Sequence, residues 1–303
     1  MQESILISKA TKKNWDRLGV EPKELLSKLS KRANKRYSTK KVLLSVIMAF
    51  AVIAPTYAAY DASAQVQTVG PNLLTKNGIV ATNVKFAVVS DVADNSNYAT
   101  TKTVNVSSAD LAFAGNDNEV AAVVANELGH IIIGHGTRSK VVNLLQATTN
   151  TQITTNETAS TLVNNYKVTK EDKEADVVAA NLMVTAGYNP LAIIVVQTKQ
   201  TGTYWETLQG KPANADRAMS AYNYISYAYP EKVKAGYGCN EYRNFVAYAD
   251  PIVKERQANT KQEKKNTKEQ EKAKKNSTSQ LTKFRNRGGQ SGWDAAYSIL
   301  NAQ

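Results

Sequence analysis

The sequence predicts an α+β domain, mostly helical, with a small antiparallel sheet. Three observations carry this expectation. Several long segments space their apolar residues along one helical face and stop at glycine or proline. Only two short stretches alternate apolar and polar residues with a period of two. Those two stretches are neighbours in the chain, separated by a turn signal, and precede the most apolar helix.

The chain of 303 residues starts with a basic lead, in which residues 1–41 hold 12 basic and 4 acidic side chains. Val42 to Ala54, "VLLSVIMAFAVIA", then runs without a charge, ahead of Pro55 and the small residues Ala62-Ser63-Ala64. A basic lead, a short apolar run and small residues match an export signal. The run is short for a membrane span, which needs roughly 20 residues. Three readings stay open: a cleaved signal, an uncleaved anchor and a buried core helix. The first two make the protein exported, in a periplasmic, cell-envelope or membrane-anchored location. Residues 1–64 are expected to form this lead and signal or anchor segment, ahead of a folded domain over 65–252.

Within that domain, "VGPNLLTKNGI" is a helix with a glycine stop. "NVKFAVVSDV" is a strand in which Val84, Phe86 and Val88 alternate. "TKTVNVSS" is a half-exposed strand with Val104 and Val106 on one face. "DNSN" between them is a turn. "GNDNEV" opens a helix in which Asn116 and Glu119 are spaced as a capping box, and that helix runs to Gly134 or Gly136. The Thr/Asn-rich "QATTNTQITTNETAS" reads as a loop or a frayed helix end. "EDKEADVVAANLMVTAGYNP", "PLAIIVVQTKQ" and "PANADRAMSAYNYISYA" are further helices.

Residues 253–303 read as a Lys-rich linker, either a solvated helix or disordered, followed by a short C-terminal helix. That helix, "SGWDAAYSILNAQ", docks back onto the domain or onto a partner. Residues 253–287 again hold 12 basic and 4 acidic side chains. Each arm thus contributes +8 to a net charge of +12, and the rest of the chain sums to −4. A mildly acidic domain argues against nucleic acid binding on the folded part. The arms suit an anionic membrane surface or another polyanion. The single cysteine, Cys239, makes neither an intrachain disulfide nor a cysteine-based metal site, and reads as a partly buried free thiol.

The chemistry sits in "VVANELGHIIIGHG", residues 123–136. In a His-Glu-x-x-His helix, four residues turn about 400°, so both imidazoles share one face. Zinc held between them lowers the pKa of a bound water toward about 7, and the glutamate takes its proton. Here Glu127 and His130 stand in position, and Asn126 occupies the first histidine's place. A Glu-x-x-His pair alone is a common accident of helices. Taken with three further stretches, however, the chain resembles the gluzincin metallopeptidases of the CaaX prenyl protease, HtpX and BepA type, peptidase family M48. "NEVAAVVANELGHIIIGH" resembles that family's zinc helix. "EDKEADVVAANLMVTAGYNPLA" resembles its Glu-x-x-Ala-Asp helix and the turn after it. "KPANADR" resembles its His-Pro-x-x-x-x-Arg element. The strands at 84–90 and 103–107 fall where the family has its sheet and substrate-pairing edge.

The resemblance implies a zincin-like domain and a zinc metalloendopeptidase-like protein acting on unfolded or membrane-associated polypeptides. It places Glu127 as general base and His130 as a metal ligand. Asp172 takes the carboxylate ligand's position, with Glu171 beside it as a substitute. Asp176, Lys211 and Arg217 stand around the site. The departures fall on chemical positions: Asn126 for histidine, Asp172 for glutamate, Lys211 for histidine. Ala175, Gly187, Pro190, Pro212 and Arg217 keep the framework. An amide oxygen is a poor zinc donor, so zinc is expected to bind weakly at Asn126 or not at all. His135 lies about 140° further round the helix and reads as a polar cap. Two functions remain open, a zinc endopeptidase and an inactive pseudopeptidase that binds extended polypeptide as a chaperone or adaptor. A structural envelope protein without a peptide groove is a third.

Overall fold

Two helices that touch at a glycine organise the protein. The structure is a computed structural model and describes residues 60–301, apart from 81, 91–92, 150–156 and 201–210. The basic lead and the apolar run at 42–54 lie outside the described residues. In chain order the elements are α1 (Ala62–Lys76), β1 (Lys85–Val89), α2 (Tyr98–Thr101), β2 (Thr103–Ser107), α3 (Ser108–Leu111) and α4 (Asp117–Ile133). Then follow α5 (His135–Thr149), α6 (Glu157–Thr185), α7 (Ala192–Lys199), α8 (Ala215–Ala228) and α9 (Pro230–Ala235). The chain closes with α10 (Asn240–Ala258), α11 (Thr260–Asn286) and α12 (Gly292–Asn301). None of the described helices is long and apolar enough to cross a membrane.

The N-cap half of the expected capping box forms at the start of α4. Asn116 Oδ1 accepts from the Glu119 N–H at 3.2 Å, and Asn116 Nδ2 donates to Glu119 Oε1 at 3.0 Å. Asp117 and Glu119 put negative charge on the positive end of the helix dipole. The helix stops at Gly134, whose φ of 80° no other residue adopts cheaply, and whose N–H donates to His130 O. Val120 to Ala125, Leu128, Ile131 and Ile132 are all buried, so α4 is wrapped on nearly every side. Gly129 is where α6 crosses: a Cβ there would lie 2.6 Å from Ala175 O. The missing side chain lets the two backbones touch. That contact brings the Glu127–His130 stretch of α4 beside the Asp172–Asp176 stretch of α6.

The sheet corrects the sequence reading. β1 and β2 run parallel, with Phe86 opposite Val104 and Val88 opposite Val106. A tight turn can only reverse the chain, whereas a parallel return needs a crossover of about a dozen residues. Residues 90–102 supply it, with the short α2 inside. Phe86, Val104 and Val106 are buried, and the Phe86 ring lies over Gly70 of α1.

The Lys-rich stretch is helical, and it is part of the same compact unit, Tyr60–Gln303. Leu281 and Phe284 of α11 are buried in the common core, beside helices α6 and α8. The expected boundary at 252 falls inside α10. Of the two readings of the C-terminal helix, docking onto the domain is the one observed. α12 packs on α5, and a Cβ on Gly134 would lie 2.9 Å from Trp293 Cδ1.

Candidate active site

A cleft of about 350 Å³ opens where α4, α6 and α8 meet the segment before β2. Asn126, Glu127, His130, Asp172, Arg217 and Asp294 are among the residues that line it. The four-residue spacing on α4 puts Asn126 and His130 on the same face, and the Gly129 contact aims that face at α6. His130 Nε2 comes within 3.4 Å of Asp172 Oδ1. Glu171 lines the same cleft, but its carboxylate is paired with Arg138 of α5.

Asp176 is the hub beneath. It is 2% exposed and accepts four hydrogen bonds. Arg217 donates two of them as a fork, Nε at 2.7 Å and one terminal nitrogen at 2.9 Å. Asn126 Nδ2 donates at 2.8 Å and Gln197 Nε2 at 2.9 Å. The other terminal nitrogen of Arg217 lies 3.6 Å from Asp172 Oδ2. Burial opposes the charge on Arg217, but Asp176, then Asp172 and Asp110, raise its pKa above the ordinary value. Burial likewise pushes Asp172 up, but the His130 contact and the Arg217 charge overcome it and hold the carboxyl below its usual range.

Glu127 has the opposite balance. Burial raises its pKa to about 7, against the lowering effects of His130 and of a hydrogen bond from Asn95 Nδ2 at 2.7 Å. A carboxyl with that value exchanges protons near neutrality, as a general acid or base must. His130 is engaged at both ring nitrogens, Nε2 toward Asp172 and Nδ1 at 3.0 Å from His135 Nδ1. His135 is 3% exposed and continues the chain of contacts to Glu174 at 3.4 Å. It is thus a buried partner of His130.

Lys211 does not line the cleft. Several contributors escaped the sequence reading, among them Asn95 in the loop before α2, Asp110 in the one-turn α3, Gln197 in α7, Asp294 in α12 and Arg138 one turn into α5. Cys239 is the N-cap of α10, where Sγ accepts from the Tyr242 N–H and burial raises the thiol's pKa.

A helix carrying Glu-x-x-His, crossed by a second helix with an acidic pair and locked by an arginine, beside a small sheet, is the frame of a helical metallopeptidase domain. The sequence profile of peptidase family M48 matches residues 61–262, and the chain belongs to that family. No curated protein and no solved structure gives a significant match.

Peptidases of this family depend on zinc. The side chains present here do not fit it. Asn126 donates its amide to Asp176, His130 has both ring nitrogens engaged, and Glu171 is held by Arg138. Among the described residues no three His, Cys, Asp or Glu side chains form a group able to hold a metal. The polar network closes on itself, with the Arg217 guanidinium neutralising the carboxylates.

Proposed function

We propose that this member of family M48 is a pseudopeptidase, which binds extended polypeptide without cleaving it and serves as a chaperone or adaptor. One observation carries the reading. Asn126, in place of the first metal ligand, is wired through Asp176 to Arg217 and Gln197, so the family's cleft is stabilised by hydrogen bonds and a guanidinium. β2 supports the binding half of the proposal. Among the described residues it pairs with a strand on one side only, and a strand edge can pair with extended peptide through main-chain hydrogen bonds. The apolar run at 42–54 and the small residues after it favour an exported protein working at the cell envelope, on unfolded or membrane-associated clients.

The zinc endopeptidase reading draws on Glu127 and on the approach of His130 to Asp172. Metal analysis of the full chain, dialysed after exposure to zinc, separates the two. The expected result is far less than one zinc per chain, with casein bound but intact and binding unaffected by a chelator or by Glu127→Gln. Stoichiometric zinc with chelator-sensitive casein cleavage sinks the proposal. Asn126→His supplies the missing imidazole opposite His130 and Asp172, and is expected to raise zinc retention toward one per chain.

A further inference from the structure

The side chain of Asn95 makes the bonds that a client's peptide unit would make. Its Oδ1 accepts from the Asn105 N–H at 2.7 Å, and its Nδ2 donates to the Asn105 C=O at 3.0 Å. Asn105 is the middle residue of β2. Exchanging one N–H and one C=O bond with a single residue is how antiparallel strands pair, and a carboxamide is chemically a peptide unit. The same Nδ2 reaches Glu127 Oε2 at 2.7 Å. One amide therefore bridges the strand edge and the carboxylate at the general-base position.

The segment around it is held on both sides. Asn105 Nδ2 donates to Asp94 O at 2.7 Å. Asp94 Oδ1 accepts from the Ser96 N–H at 2.8 Å. Ser96 rests on Gly136 of α5, where a Cβ would lie 2.8 Å from Ser96 Cα. Lys140 donates to Asn97 Oδ1.

We propose that residues 94–97 are an internal latch: Asn95 occupies the β2 edge in place of a client backbone, and a client is seated only by displacing it. The proposal rests on the peptide-binding reading above. Only molecules with the latch open bind, so the apparent affinity is reduced by the open fraction.

The test uses the full chain as wild type, Asn95→Ala and Gly136→Ala. The second variant pushes on Ser96 without touching Asn95, and it decides the matter should Asn95→Ala not fold. Hydrogen exchange at the Asn105 amide and fluorescence anisotropy with labelled casein are the readouts. Both variants are expected to exchange Asn105 about tenfold faster and to bind casein about tenfold more tightly, with saturating casein restoring protection at Asn105. Unchanged exchange and affinity in the variants overturn the latch, even if the wild type binds casein. Tighter binding without restored protection at Asn105 puts the client elsewhere and also overturns it. Faster exchange with no casein bound by any of the three proteins overturns the peptide-binding reading, and the latch's purpose with it.

Discussion

Glu127 carries the clearest pH signature at the level of single residues. Its carboxyl titrates near 7 in the folded protein against an ordinary value of 4.5, chiefly because burial disfavours the charge. The folded state therefore holds this proton more tightly than the unfolded chain. Its stabilising contribution is complete below about 4.5 and is lost as pH rises through about 7. Glu127→Gln removes that loss. The variant is expected to gain on the wild type by on the order of 2 kcal/mol between pH 4.5 and pH 8, read from urea unfolding at both values. A constant difference at the two pH values rules the assignment out. Arg217→Ala works in the other direction, because it leaves the buried Asp176 carboxylate without its fork. A cost of about 3–5 kcal/mol is expected, most of it recovered when Asp176→Asn is added. At this scale the sequence was readable along the helices whose motifs fix the spacing. Glu127, His130, Asp172 and Arg217 line the cleft, and Asp176 lies buried beneath it. Asn95 and Asp110 were not readable, since a lone small polar residue in a loop or a one-turn helix has no period to mark it. Lys211 was named by its motif position and stands off the cleft.

Among the elements, the crossing of α4 and α6 decides whether the site exists. Gly129 sits one residue before His130, and its Cα faces Ala175, three residues after Asp172. A methyl group there meets backbone, which cannot rotate out of the way. Gly129→Ala is expected to destabilise by about 1–3 kcal/mol and to separate the helices enough to break the His130–Asp172 contact. Unfolding midpoints and the His130 ring resonances check the two parts separately. The helices themselves were legible from caps and apolar spacing, which are local properties. The direction of β2 was not. Its determinant is the crossover through α2, and the four residues "YATT" show no apolar spacing from which a helix could be read.

On the scale of the whole molecule, the C-terminal arm is the part that the family does not explain. The family match ends at 262, near the start of α11, yet Leu281 and Phe284 are core residues and Asp294 reaches the cleft. The arm has two faces. One is packed, with Ser277, Leu281 and Phe284 of α11 buried. The other exposes Lys261, Lys264, Lys265, Lys268, Lys272 and Lys275, countered on the exposed side by Glu269 and Glu271. A helix that needed only to fill the core has no use for so many like charges, which repel one another. An anionic membrane surface attracts them by about 1 kcal/mol for each lysine close to it, within a screening length of about 10 Å at 0.1 M salt. The protein is therefore expected to bind vesicles containing phosphatidylserine at 50 mM salt and to release them at 0.5 M. Lys264→Glu, Lys268→Glu and Lys275→Glu together are expected to weaken that binding more than tenfold, while unfolding stays within about 0.5 kcal/mol because all three side chains are exposed. Phosphatidylcholine vesicles isolate the charge-dependent part. If the triple variant sediments with acidic vesicles as well as the wild type does, the lysine face has no part in membrane contact, and the arm acts through its packed face alone.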